Sequence, residues 1–356
     1  MDLEFERTIT PGTPPSDNEL GFGQVFSDHM FTLEGGPSGW YNPRIRPYGR
    51  LPLGPAAPGY QYGQQVFEGL KAVWGVDNQA RLFRAPEHLR RLKKSAAYVR
   101  LSCPPEGHLL HAISELVRID QRWIPKSPGT SLYIRPFLLG STCFLGIRPS
   151  TGVLAAVITS PTGPLYGPKP VSLLIEEKRS RATPGGLGSI KTGANYLQAQ
   201  LATSEAQDQG FNQVLWTDST THQLVEEAGT MNFFADFYSA GKHTIVTPRL
   251  TDTILEGITR DAVNRVLRDH GYEVEERPLT VDELVAAHTT NKLQGAWGTG
   301  TAATIAHIGE LGYRGQRFKV GDGTPCEPAE LAFKVINEIQ TGARSDPYGW
   351  TTLVPL

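Results

Sequence analysis

Apolar residues recur at helical spacing at Leu89, Leu92, Ala96 and Val99, with Arg and Lys between them. That period predicts an amphipathic helix from Pro86 to Leu101, and a second helix is expected from His108 to Ile119. Continuous apolar runs read as strands at 65–73, ahead of a turn at 75–78, and again at 131–139 and 153–158. Residues 1 to about 60 are rich in Gly and Pro, so they are expected to be irregular with short extended pieces. Prolines and glycines crowd 160–170, which predicts a linker between a domain over 1–159 and a second over 171–356. Beyond it, strands are expected at 171–175, 213–217, 231–237 and 244–247, and helices at 195–209, 259–270, 281–288 and 328–341. Thr280-Val281-Asp282-Glu283 has the form of a capping box. Strands and helices mix without regular βαβ alternation or an internal repeat, so the fold class is α+β with antiparallel or mixed sheets.

The chain has 356 residues, which favours two domains over one core. Hydrophobic residues make up 39% and charged residues 20%, the balance of a globular protein. Its 34 basic and 36 acidic residues form no run of like charge, so nucleic acid and acidic membranes are not expected partners. No apolar stretch is long enough to span a bilayer. The start, Met1-Asp2-Leu3-Glu4-Phe5-Glu6-Arg7, has neither a secretory apolar core nor the Arg-rich character of a transit peptide. Cys103, Cys143 and Cys326 lie far apart without metal-ligand spacing, so they read as reduced thiols and no metal is expected. Cytosol is the expected compartment.

Four segments carry candidate chemistry. Gly185-Gly186-Leu187-Gly188-Ser189-Ile190-Lys191-Thr192-Gly193-Ala194-Asn195-Tyr196 places one lysine in a glycine-rich turn ahead of a helix. A lysine desolvated there is able to attack a carbonyl carbon as a free amine, although most lysines are solvated surface groups. Val225-Glu226-Glu227-Ala228-Gly229-Thr230 sets a carboxylate before a turn of small residues, which is either an enclosed acid or a polar strand end. Gly257-Ile258-Thr259 opens a helix whose first amides favour an anion. Gly298-Thr299-Gly300-Thr301-Ala302-Ala303 is a turn of small residues that fits neither a Walker loop nor a dinucleotide fingerprint.

In this order the four segments resemble the fold-type IV pyridoxal-phosphate aminotransferases, and among them the eukaryotic branched-chain aminotransferases. The resemblance runs from Phe26-Ser27-Asp28-His29-Met30 to Ser345-Asp346-Pro347-Tyr348-Gly349-Trp350-Thr351. It includes Phe67-Glu68-Gly69-Leu70-Lys71, Arg81-Leu82-Phe83-Arg84, Leu132-Tyr133-Ile134-Arg135-Pro136 and Gln213-Val214-Leu215-Trp216. It implies a smaller N-terminal α/β domain, a larger barrel-like C-terminal domain carrying the cofactor lysine, pyridoxal phosphate in the cleft between them, and a homodimer. Lys191 matches the lysine that holds the cofactor aldehyde and shuttles the proton. Glu227 matches the partner of the pyridine nitrogen, and Tyr196 the phenol beside the ring oxygen. Arg91, with Ile258, Thr259 and Thr301, matches the phosphate site. Thr301 and Ala302 amides with Tyr133 match the α-carboxylate site. Tyr62 and Phe67 match walls of the side-chain pocket, and Arg135 the residue that receives the distal carboxylate of glutamate. The implied reaction is ping-pong amino-group exchange between Leu, Ile or Val and 2-oxoglutarate.

Some positions depart from the family pattern. Ala303-Thr304-Ile305-Ala306 lacks the redox Cys-x-x-Cys of mammalian members, so thiol regulation of that kind is not expected. Glu256 stands where proline is common, Trp74 where basic residues are frequent, and the 160–170 linker is short. These departures leave open a specialised transaminase of secondary metabolism. Within the fold, D-amino-acid or (R)-amine transamination and a lyase activity compete, as does a non-catalytic homologue. Tyr133-x-Arg135 and the Glu227–Asn232 run favour the branched-chain branch.

Overall fold

The structure is a computed structural model that describes residues 2–166 and 169–355. It divides into two compact units. Unit 1 holds Met1–Leu165, Ile190–Gly193 and Glu338–Leu356, and unit 2 holds Tyr166–Ser189 and Ala194–Asn337.

Unit 1 is built on one nine-stranded sheet. Its strands are β1 (Glu4–Phe5), β2 (His29–Gly36), β3 (Gly39–Pro47), β4 (Gln65–Phe67), β5 (Leu70–Trp74), β6 (Ala80–Phe83), β7 (Ser131–Gly140), β8 (Val153–Thr162) and the C-terminal strand Thr351–Val354. The order is β1-β3-β2-β8-β7-β5-β6 and then the C-terminal strand, with β4 on β7. Beyond a single turn, α1 (Pro58–Gln61), the helices α2 (Ala85–Tyr98) and α3 (Glu106–Ile119) supply the second layer. Leu89, Leu92 and Ala96 of α2 share a core with Ile113 and Leu116 of α3 and with Phe31, Leu70 and Ile134 of the sheet. The 3.6-residue spacing read from the sequence is therefore the buried stripe of α2.

Unit 2 contains β9 (Val171–Ile175), β10 (Gln213–Thr217), β11 (Val225–Ala228), β12 (Met231–Ser239), β13 (Lys242–Pro248), β14 (Glu273–Arg277), β15 (Leu293–Gly300), β16 (Thr304–Tyr313) and β17 (Gln316–Lys319). The path β11-β10-β9-β16-β15-β12 closes through the β11–β12 pairing into a six-stranded barrel, with β13 and β14 continuing from β12. Helices α4 (Gly193–Asp208), α5 (Ile258–Asp269), α6 (Val281–Thr289) and α7 (Glu327–Gln340) complete the order. Thr280 Oγ1 accepts the Glu283 amide at 3.0 Å, so half of the capping box forms. Glu283's own carboxylate pairs instead with Arg277 Nη1 and Nη2 at 2.9 and 2.6 Å.

Several expectations differ from what forms. The extended pieces of the N-terminal region are longer than expected: β2 and β3 pair antiparallel along almost their whole length, and β2 is buried beside β8. The run 65–73 is two strands, broken at Glu68–Gly69 where the carboxylate turns into the core. The turn around Gly298–Ala303 is shorter than it reads, because β15 runs through Gly300 and β16 starts at Thr304. Gly298 and Gly312 look like loop residues, yet a Cβ there would strike Met231 and Phe211, so their absence of side chain is a packing requirement.

The chain passes from one unit to the other between Leu165 and Tyr166, inside the expected 160–170 linker, although β8 runs to Thr162; Gly167 and Pro168 of that linker lie outside the described residues. Two segments expected in the second domain belong to unit 1. Ile190–Gly193 is fastened there by backbone bonds described below, and the C-terminal strand pairs with β6. With them unit 1 holds slightly more of the chain than unit 2. The lysine expected on the second domain therefore sits on unit 1.

Candidate active site

In unit 1, two of the candidate residues, Lys191 and Arg135, lie over the ring of Phe67. Lys191 Nζ lies 5.0 Å from the ring centroid and Arg135 Cζ lies 4.6 Å from it. Arg135 Nη2 donates to Tyr133 Oη at 3.1 Å, so the cation and phenol form one polar end beside an apolar wall. The main chain positions Lys191. Its amide donates to Ser95 Oγ at 3.0 Å, and its carbonyl accepts the Phe67 amide at 3.0 Å. Thr192 Oγ1 adds a bond to the Gln65 carbonyl at 2.7 Å. These contacts hold a short segment from three sides, through main chain and hydroxyls.

Tyr133 is buried, and its hydroxyl sits where a Cβ at residue 69 would be. Glycine there is required by close approach of side chain to backbone. Gly69→Ala is expected to push the phenol away from Arg135 and raise KM for glutamate at least tenfold, with a smaller effect on leucine. Steady-state kinetics with each donor checks this.

Arg91 is buried beside Glu68, which is wholly buried. Arg91 Nε and Nη2 donate to the two carboxylate oxygens at 2.6 and 2.9 Å, and His88 Nδ1 lies 2.9 Å from Oε2. Burial pulls the Glu68 carboxyl upward, but the Arg91 guanidinium and the His88 hydrogen bond outweigh it and hold it well below the usual range. Burial dominates at His88 and pushes its ring down, against the pull of Glu68. Sequence reasoning assigns Glu68 no role. The only local signal is an acid between two strand-like runs, because its partners lie 20 and 23 residues away.

Tyr62 is 53% exposed and accepts the Gly146 amide at 3.2 Å. Nothing in the described contacts brings it to Phe67.

In unit 2, Glu227 is buried on β11. Its Oε1 accepts the Leu255 amide at 2.8 Å, and Arg181 Nε lies 3.3 Å from Oε2. Arg181, also buried, donates to the Thr253 and Gly188 carbonyls, tying this carboxylate to the glycine-rich turn. Asn232 Nδ2 bonds the Leu255 carbonyl at 2.9 Å, so both ends of residue 255 are held just before α5. Gly257 is the N-cap of α5, no side chain caps it, and a Cβ there would overlap Asn232 Oδ1. Ile258 and Thr259 form the first turn, where helix amides point outward. Thr301 and Ala302 occupy the turn between β15 and β16, half-buried, and Tyr196 lies in the first turn of α4. Sequence reasoning gives Arg181 and Asn232 no role of their own: Arg181 stands in no recognisable local pattern, and Asn232 enters only as the end of the Glu227–Asn232 run.

A family model described as amino-transferase class IV matches residues 65–311. The chain belongs to the class IV aminotransferase family. Among curated relatives of this class IV chain, branched-chain-amino-acid aminotransferase 2 of Bacillus subtilis is 42% identical over 99% of this chain and 97% of its own. The branched-chain-amino-acid aminotransferase of Mycolicibacterium smegmatis is 35% identical over 98% and 97%. Both are bacterial, and the expected likeness to eukaryotic members finds no support in them. A branched-chain amino acid aminotransferase of T.th., solved with pyridoxamine 5'-phosphate, shares 28% identity and a TM-score of 0.74, covering 91% of this chain and 98% of that one. The Escherichia coli branched-chain amino acid aminotransferase matches with TM-score 0.77 at 23% identity, over 92% and 99%, and shows the shared fold.

Class IV aminotransferases depend on pyridoxal phosphate. The residue types present in each unit suit that group. Unit 1 carries a lysine and a buried arginine, and unit 2 a buried carboxylate and a glycine-capped helix start.

Proposed function

We propose that this protein transfers amino groups between branched-chain L-amino acids and 2-oxoglutarate, with pyridoxal phosphate as cofactor. The observation that carries the reading is the Phe67 ring flanked by Lys191 and by the Arg135–Tyr133 pair. An apolar wall ending in one arginine accepts an aliphatic side chain, and it also accepts the distal carboxylate of a glutamate. Full-length relatives named as branched-chain aminotransferases support the same substrate class.

When bound, the cofactor supplies an electron sink for the substrate's Cα. Arg91, the first amides of α5 at Ile258 and Thr259, and Thr301 would hold its phosphate. Glu227 would face the ring nitrogen and Tyr196 the ring oxygen. Lys191 would carry the proton to and from the substrate's Cα, its backbone fixed by Ser95 and Phe67. Thr301 and Ala302 amides with the Tyr133 hydroxyl would orient the α-carboxylate. Phe67 would exclude water from the side-chain pocket, and Tyr62, exposed here, would join it only by moving. The first product leaves as a 2-oxo acid before the acceptor enters.

In this reading the enzyme is a cytoplasmic homodimer whose pocket is completed by the partner subunit. Among the described residues no helix is long and apolar enough to cross a membrane.

A panel of L- and D-amino acids with 2-oxoglutarate or pyruvate tests the assignment. L-leucine, L-isoleucine, L-valine and L-glutamate are expected to turn over, and D-alanine is not. Turnover of D-alanine or of (R)-amines in their place would move the chain to another branch of the fold.

A further inference from the structure

Side chains alternate along a strand, so Glu226 and Glu227 leave β11 on opposite faces. Their partners alternate too: Glu227 takes the Leu255 amide, whereas Glu226 Oε1 accepts from Thr253 Oγ1. On its own face Glu226 lines a cavity of about 370 Å³ within unit 2, walled by none of the residues assigned above to cofactor or substrate. Leu224, Pro248, Ile254 and Pro278 make much of this wall apolar.

Three carboxylates border the cavity, and they are not equivalent. Asp218 is already saturated by the amides of Thr220, Thr221, Gln223 and Leu224, at 3.1, 2.7, 2.9 and 2.8 Å. Burial raises its carboxyl, and those bonds overcome it and bring it to about 2. Asp252 Oδ2 accepts the Gly185 amide at 2.6 Å. Glu226 differs, because it is 6% exposed and its Oε2 has no hydrogen-bond partner among the described residues. An unpaired acceptor held out of water is costly and calls for a donor. Burial pushes this carboxyl up, the charges of Glu227 and Asp218 push it the same way, and Thr253 and Arg181 oppose them. The charges around the space are mostly negative, with Arg249 exposed at its border.

We propose that this cavity binds a small organic ammonium ion with an apolar body, its N–H donated to Glu226 Oε2 and its carbon skeleton laid against Leu224, Ile254 and the prolines. A cation meets the acidic face and satisfies the orphaned oxygen, and the apolar wall removes the remaining surface from water. A neutral molecule of the same shape gains only the second of these.

The probe is N,N-dimethylbutylammonium, a tertiary amine unable to condense with an aldehyde, titrated calorimetrically into the holoenzyme. Saturable binding at one site per chain is expected, with uncharged N,N-dimethylbutanamide at least tenfold weaker. Glu226→Gln should weaken the amine at least tenfold, and Lys191→Ala should leave its affinity unchanged. Thr220→Trp, which fills the border without touching Glu226, should also weaken binding and decides the matter if Glu226→Gln fails to fold. Absence of saturable binding, equal binding of the amide, affinity that survives both cavity variants, or loss in Lys191→Ala would each overturn the proposal.

Discussion

Lys191→Ala is expected to lower turnover with L-leucine and 2-oxoglutarate by roughly 10³-fold or more, the scale of losing a positioned proton carrier together with a covalent hold. It should also abolish fixation of the cofactor by borohydride, read as a missing mass increment on the chain. The fold should survive, and the reason is specific. The anchors of this segment run through main chain and hydroxyls: the Lys191 amide on Ser95, its carbonyl under the Phe67 amide, and Thr192 on Gln65. None of those bonds is lost with the side chain. A melting temperature within a few degrees of the parent, together with the lost turnover, is the expected pair of results. Retained transamination would remove Lys191 from the mechanism.

Glu68→Gln is expected to cost about 3–5 kcal/mol of unfolding free energy in urea, the usual penalty for stripping one member from a buried ion pair. Gln keeps the shape and one acceptor, so the loss reports charge and not volume. Arg91 would then stay buried with its carboxylate gone. The pH dependence follows from the direction of the Glu68 shift. Its folded carboxyl lies below the unfolded value of about 4.3, so its stabilisation is fully present above that pH and is lost as pH falls further. The stability gap between parent and variant should therefore narrow below about pH 4 and stay flat from about pH 5 to 7. A gap that widened in acid would mean that Glu68 is not held ionised by Arg91 and His88. Since Arg91 is the candidate phosphate ligand, the variant should also bind pyridoxal phosphate more weakly, measured by equilibrium dialysis.

Much of the secondary structure is legible wherever local pattern and packing agree. β9 and β10 form at the expected bounds, and α2, α5 and α6 lie within a few residues of theirs, because the apolar positions of each helix are buried along one stripe. Two of the missed strands share a cause. β15 and β16 carry glycines forced by neighbouring side chains, and a single sequence lends such glycines the look of loops. β2 and β3 hide for a similar reason, with Gly35, Gly36 and Gly39 around their turn.

Roles at the site are less legible. Local chemistry reaches the glycine-rich turn at Lys191 and the helix start at Gly257, and the remaining roles come from resemblance. Glu68, Arg181 and the Glu226–Thr253 pair each depend on at least one partner between 20 and 72 residues distant. No spacing rule connects residues that meet only through the fold.

The C-terminal strand has a consequence for biosynthesis. Thr351–Val354 completes the sheet of unit 1 along β6, and the Arg84 amide bonds the Trp350 carbonyl there. A ribosome delivers all of unit 2 between β8 and that strand. Through that interval β6 presents an open row of amides and carbonyls, the kind of edge to which other chains add. N-terminal domains commonly finish folding while the rest is made. Here unit 1 is begun first and sealed last, so a nascent chain stalled before residue 351 would be the species most in need of a chaperone.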